Sequence, residues 1–236
     1  MNFNDVTNVT KILFQYLPNT LKLFFLTLLF SIPLGVIVAW LKKCRFKPVS
    51  WLTNLYILIM RGTPLMLQIV AAYYAIPMIV KNAKESGSTG GFISFLDDCM
   101  HAENYMFVTL VVAFSLNYAA YFAEIFRGGI ESIPVGQYEA AQMLGLTKMQ
   151  TFFRIIMPQV VKRVIPATSN EVIVLVKDTS LATIIAYAEI MLKAKQMMNT
   201  YSSIVPLFIA GLFYFVMNAI VTVFFYFIEK HYNYYK

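Results

Sequence analysis

The chain has 236 residues, of which 59% are hydrophobic and only 13% charged, and its mean hydropathy is +0.64. A soluble domain carries about 25% charged residues and a disordered chain lacks the aromatics that make up 16% of this one, so both classes are excluded and a membrane protein is implied. The net charge of +7 does not point to nucleic acid, because Lys and Arg lie in short segments between apolar runs, where they flank a bilayer.

Residues 1–20 hold Asp5, little positive charge and no short apolar core with an A-x-A site, so no cleavable signal is expected. A spanning helix needs about 20 apolar residues. The first such run is Leu23 to Leu41, with Pro33 and Gly35 marking a kink. Trp51 to Met60 is apolar but half a span long, and it predicts an interfacial or tilted helix leading into a second crossing, Gly62 to Val80, at Arg61-Gly-Thr-Pro64. An outer loop follows at 81–103, with flexible Glu85 to Gly91. The third crossing is Asn104 to Ala123, and a long inner segment occupies 127–165. The fourth, Pro166 to Ala188, carries Glu171, Lys177 and Asp178; Gln196 to Ile228 supplies the fifth. Five crossings put the termini on opposite sides. With the amino terminus outside, twelve Lys and Arg fall inside and six outside, which the positive-inside rule favours. Cys44 and Cys99 then lie on opposite sides and cannot pair.

The inner segment obeys local rules. Pro134 suits the first turn of a helix over about 137–144, Gly145 suits a left-handed residue just past its end, and Thr147 can cap a second short helix ending before Pro158. Ala140 and Ala141 beside Glu139 give a face small enough to enter a partner's groove.

Lys177 falls about 16 Å from either end of its crossing at 1.5 Å per residue, where a charge costs about 2.5–3.5 kcal/mol. No acid stands three or four residues away, so it requires a group from another helix, a cavity water or a broken helical turn. Lys177, Asp178, Thr179 and Ser180 either shape and gate a cavity or touch its cargo; in the second case Asp178 would meet an amino group, and Thr179 and Ser180 a carboxylate. Gln68, Asn117 and Tyr118 are pathway candidates, with interhelical hydrogen bonding as the alternative role. Arg61, Glu124 and Arg127 read as structural or gating groups, the last two as an i,i+3 ion pair. The 13 methionines suit packing, and nothing suggests a metal. Two histidines, no H-E-x-x-H and no phosphate loop argue against an enzyme, so energy must come from a partner.

Glu139-Ala-Ala141, three residues, Gly145-Leu146 and a later apolar residue with Pro158 resemble the EAA loop of ABC importer permeases. Arg61-Gly-Thr-Pro-Leu65 with Gln68, Ala120-Tyr-Phe-Ala-Glu-Ile-Phe-Arg-Gly-Gly-Ile130, Ser132-Ile-Pro-Val-Gly-Gln137 and Lys177-Asp-Thr-Ser-Leu181 are similar to the polar amino acid permeases, the histidine, glutamine, arginine and opine family, over roughly residues 20–228. The resemblance implies an all-α membrane protein of five transmembrane helices with the type I ABC importer permease fold, a single transmembrane domain whose 127–165 stretch is a cytoplasmic coupling loop. It implies Glu139, Ala140, Ala141, Gly145, Leu146 and Pro158 as ATPase-coupling residues. The implied partners are an ABC ATPase dimer carrying ATP and Mg, a second permease subunit, identical or related, and an extracytoplasmic solute-binding protein, all at a bacterial plasma membrane. This chain would bind no cofactor of its own. A gradient-driven secondary transporter, which usually shows internal repeats, and a non-transporting membrane receptor are the alternatives.

Overall fold

Long apolar runs interrupted by proline and by serine–threonine pairs fold, in the computed structural model, into helices alone among the described residues, 2–87 and 90–232. Ser88 and Thr89 of the stretch expected to be flexible lie outside them, as does Lys236 of the inner charge count. Helix α1 (Phe3–Lys42) starts where the Asn2 amide donates to Asp5 at 2.8 Å and runs through Pro18 and Pro33 without a break. It therefore begins well before Leu23 and measures about 60 Å at 1.5 Å per residue. After it come α2 (Lys47–Gly62), α3 (Leu65–Glu85), α4 (Gly91–His101), α5 (Tyr105–Glu131) and α6 (Val135–Met143). The chain ends with α7 (Lys148–Thr151), α8 (Met157–Asp178), α9 (Ile190–Tyr201) and α10 (Val205–Tyr232). Four of these, α1, α3, α5 and α10, are long and apolar enough to cross a membrane.

Helix α5 is the centre of the bundle. Leu110, Phe114, Tyr118 and Phe122 pack against Leu23 and Phe24 of α1 and against Val172, Leu175 and Val176 of α8. Gly35 lets α1 and α5 touch: a Cβ there would lie 2.7 Å from the Phe122 Cβ and 3.2 Å from the Ala119 carbonyl, so only a residue without one fits. A second cluster joins Val9 and Leu13 of α1, Ile190 and Ala194 of α9 and Ala210 of α10. The rest of α10 turns Phe208, Leu212, Phe215, Ile220 and Phe224 outward, a surface made for lipid or for another subunit.

Four sequence expectations change. Pro166 to Ala188 is not one helix: α8 stops at Asp178 and a 3-10 run, Thr179–Ile185, replaces it. The Thr179 hydroxyl donates to the Val176 carbonyl at 2.7 Å and that of Ser180 to the Lys177 carbonyl at 2.7 Å, local bonds that compete with helix continuation. Lys177 thus stands in the last turn of α8, exposed, and not at the midpoint of a continuous helix. Gln196 to Ile228 is likewise two helices, because Ser202 adopts φ +46 and the Ser203 amide turns back to the Met198 carbonyl. No separate helix ends before Pro158; α7 passes through a π turn, Phe152–Ile156, directly into α8. The wider π turn makes room where the proline ring would meet the carbonyl four residues back. Finally, the 81–103 loop contains α4, and both cysteines are free.

Candidate functional site

The break between α2 and α3 faces the end of α8, and the two interruptions enclose a cavity of about 320 Å³. Thr63, Pro64 and Leu65 line one side, Asn117, Tyr118 and Tyr121 from halfway along α5 the floor, and Glu171, Val174, Asp178 and Leu181 the other side. Chemistry dictates the first break. Thr63 is extended, φ −120 and ψ +149, as a residue before proline prefers, and Pro64 has no N–H to offer the carbonyl of Met60 four residues back. Two side-chain amides take its place: Asn117 Nδ2 donates to the Met60 carbonyl at 2.8 Å and Gln68 Nε2 at 3.0 Å. Asn117 also donates to Gln68 Oε1 at 2.9 Å, and Gln68 to the Thr63 hydroxyl at 2.8 Å, which ties the break to α5.

Of the sequence-derived pathway candidates, Asn117, Tyr118 and Asp178 line the cavity and Gln68 stands behind it. The Tyr118 hydroxyl, buried, donates to Asp178 Oδ2 at 2.7 Å. Lys177 is exposed and does not line the cavity. Thr179 and Ser180 spend their hydroxyl protons on their own backbone, so the expected donation to a carboxylate has no free donor there. Glu171 and Tyr121 belong to the lining although neither stood out as a site residue. The available signal was spacing, since Glu171, Val174 and Asp178 share one face of α8 at i, i+3 and i+7. The described lining thus holds two carboxylates, two phenols, an amide and a threonine hydroxyl and no basic side chain. Arg61 stands beside it, 5.3 Å from the Tyr121 ring centroid.

Toward the α6 end, Glu124 and Arg127 form the expected ion pair at 2.7 Å, but within a larger network. Glu124 also accepts from Lys42 at 2.5 Å and lies 3.9 Å from Arg61, while Arg127 and Lys43 both reach Glu131. The cluster joins the ends of α1 and α2 to α5; Lys42 escaped notice because 82 residues separate it from Glu124.

Helix α6 begins after Pro134, which occupies the N-cap rather than the first turn. Gly145 follows its end with φ +72 and open space around it, as its place past the helix predicts. Thr147 caps α7 by accepting from the Gln150 amide at 3.3 Å. Glu139 and Ala140 are exposed, whereas Ala141 is only 1% exposed: it supports α6 from beneath and is absent from the small outward face. Leu146 is half-buried and its amide bonds the Ala141 carbonyl at 3.1 Å. Met143, Leu144, Met149 and Phe153 expose apolar side chains around this turn, 88% and 77% for the first two. Pro158 is exposed on α8. Among the described residues no cluster of metal ligands occurs.

An all-helical bundle with interrupted helices around a polar cavity and an exposed apolar elbow is the frame of a membrane permease. Residues 31–234 match the family of binding-protein-dependent transport system inner membrane components, and the chain belongs to it. It is 34% identical over 225 residues to the arginine transport system permease protein ArtQ of Bacillus subtilis, covering 94% of each chain. It is 37% identical over 177 residues to the L-cystine transport system permease protein TcyB of the same organism, covering 75% of this chain and 67% of that one. A chain from the crystal structure of an amino acid ABC transporter with histidines superposes with a TM-score of 0.79 at 29% identity, covering 98% of this chain and 99% of that one. The resemblance first carried by Glu139 to Gly145 and its flanks is borne out.

Proposed function

We propose that this chain is the transmembrane half of an ATP-driven importer of a polar amino acid, and that the cavity between the two helix breaks is where the cargo crosses. In this reading the chain crosses five times. Helix α1 is the first crossing, α2 with α3 the second, α5 the third, α8 with α9 the fourth and α10 the fifth, with the amino terminus outside and the carboxyl terminus inside. Non-helical backbone is tolerated at membrane depth where it lines a cavity, and transport proteins place such breaks at the binding site.

The observation that carries the reading is the pairing of Glu171 and Asp178 in a cavity without a basic lining residue. Two carboxylates suit an ammonium or guanidinium group, so a cationic amino acid is the favoured cargo, in keeping with the name of the arginine relative.

The exposed elbow from Glu139 to Phe153, within the 127–165 coupling loop, docks on an ATPase dimer that holds ATP and Mg. Its apolar side chains and the glycine turn give the ATPase a rigid handle on α5 and α8, between which α6 is suspended. Closure of the ATPases would move both helices together. A second permease subunit, identical or related, completes the pathway, and a solute-binding protein delivers cargo from outside a bacterial plasma membrane.

Purification with the native partners, reconstitution in liposomes and measurement of labelled arginine uptake test the function. Uptake that requires ATP hydrolysis and added binding protein is expected. Uptake that follows an ion gradient without ATP would overturn the reading.

A further inference from the structure

A second charged cavity, of about 590 Å³, lies apart from the one between the helix breaks. It lies where the ends of α1 and α2 meet α5, and it combines two unlike surfaces. One is cationic: Lys42 and Arg61 line it with Glu124, while Arg127 and Lys43 complete the ion network beside it. Arg45 is exposed on the short connection into α2 and Lys47 at the first residue of that helix. Six cations there face two carboxylates, Glu124 and Glu131, an excess of four positive charges. The other surface is a wall of Trp51, Leu55 and Leu58, exposed by 64%, 37% and 68%.

Neither surface suits the cargo of the cavity described above. Glu124 is already engaged by Lys42 and Arg127, with Arg61 3.9 Å away, and has little left for an incoming ammonium group. A small water-soluble anion would meet the cations alone and leave the tryptophan and leucines uncovered. An amphiphile satisfies both. The indole of Trp51, one turn into α2, is the kind of side chain that settles at headgroup depth, and Lys42 ends α1 at the same end of the bundle.

We propose that this cavity binds an anionic phospholipid, its phosphate between Lys42 and the guanidinium of Arg61 and its acyl chain along Trp51, Leu55 and Leu58. The lipid would fill the wedge between α2 and the α1–α5 pair and bring the negative charge that the network lacks. Basic pockets between membrane helices recognise lipid headgroups by this chemistry.

The test uses the intact transporter in nanodiscs and reads the fluorescence lost between the native chain and its Trp51→Phe variant, so that only Trp51 is followed. Acyl-brominated phosphatidylglycerol and acyl-brominated phosphatidylcholine are titrated separately. Phosphatidylglycerol is expected to quench Trp51 at a several-fold lower mole fraction, roughly fivefold for each cation engaged, and Arg45→Gln with Lys47→Gln is expected to narrow the gap. Equal quenching by the two lipids would overturn the proposal. Loss of the preference on adding inorganic phosphate would also overturn it, because the site would then be one for a free anion. Should Trp51→Phe fail to assemble, native mass spectrometry of the unmodified transporter decides. Retained phosphatidylglycerol supports the proposal, and a lipid-free or phosphatidylcholine-only complex refutes it. These readouts need no transport and stand or fall apart from the importer reading.

Discussion

Asp178→Asn isolates the charge in the cavity from its shape. Asparagine has nearly the same outline, and its amide oxygen can still accept from the Tyr118 hydroxyl now 2.7 Å from the carboxylate. The α5–α8 contact should survive and the purified complex should melt normally. What disappears is one of the two negative charges that line the cavity, the other being Glu171. A hydrogen bond to a charged group contributes about 1.5–3 kcal/mol, so arginine binding should weaken about 10- to 150-fold.

The affinity of the whole system is shared with a solute-binding protein, and the assay must therefore reach the cavity directly. Labelled L-arginine is bound at equilibrium to the detergent-purified transporter without that protein, and maximal uptake is then measured with it in proteoliposomes. Both should fall, while binding of a neutral amino acid changes little. Tyr118→Phe should do less harm, because the charge remains. A well-expressed Asp178→Asn transporter that binds and imports arginine as the native one does would refute cargo contact at Asp178.

Gly145→Trp should leave ATP hydrolysis running while uptake fails, because a left-handed φ of +72 costs a side-chain-bearing residue about 1–2 kcal/mol and the indole covers the open docking turn; paired ATPase and uptake rates check it. Gly35→Ala should lower the melting temperature of the complex: the added carbon meets backbone atoms of α5 at 3.2 and 3.3 Å, and overpacking of about 1–3 kcal/mol exceeds the roughly 1 kcal/mol of helix propensity gained. Gly211→Ala, with nothing within 4 Å, should be neutral or stabilising, and equal melting of the two variants would contradict the packing account. Between α3 and α4, the Lys84 ammonium donates to Asp97 at 2.8 Å and holds its carboxyl below the usual carboxylate range. A depressed folded value means that the contact contributes fully above the ordinary carboxylate pKa of about 3.9 and fades as pH falls through the lower folded value. Protection of the α4 amides, that is exchange corrected for its intrinsic base catalysis, should therefore fall only in acid below about pH 4, and Asp97→Asn should remove that loss.

The apolar runs were legible because a membrane helix announces itself by length and composition alone. The turn at Gly145 and the cap at Thr147 were legible because each depends on neighbours within three residues. Helix continuity was not. Pro18 and Pro33 leave α1 whole while Pro64 divides α2 from α3, and at Pro64 the freed Met60 carbonyl receives donors from Asn117 and Gln68 that lie 57 and 8 residues away. Nor could spacing reveal that Lys42 would meet Glu124, or that Ala141 would turn inward while Ala140 stays exposed, since both follow from how distant helices pack. Glu171 was visible as a charge in an apolar span and shares a face with Asp178 at i,i+7, yet that this face lines a cavity opposite the break at Thr63 to Leu65 follows only from the packing of distant helices.

The polar side chains inside the bundle divide into two kinds of work. At the first break, Asn117 and Gln68 repair the damage done by Pro64, giving the Met60 carbonyl the donors that the proline withholds. At the second, Thr179 and Ser180 hold the backbone in its 3-10 path through bonds to Val176 and Lys177. These groups keep the two interruptions open at low cost, because an unpaired backbone group at membrane depth is worth several kcal/mol against the fold. Once they are occupied, the charged groups left to face the cavity are carboxylates, Glu171 and Asp178, the latter accepting from the phenol of Tyr118. The amides and hydroxyls at the two breaks are thus spent on backbone, and the carboxylates left on the cavity wall are Glu171 and Asp178, whereas a third, Glu189, is fully buried and caps α9 by accepting from the Met191 and Leu192 amides.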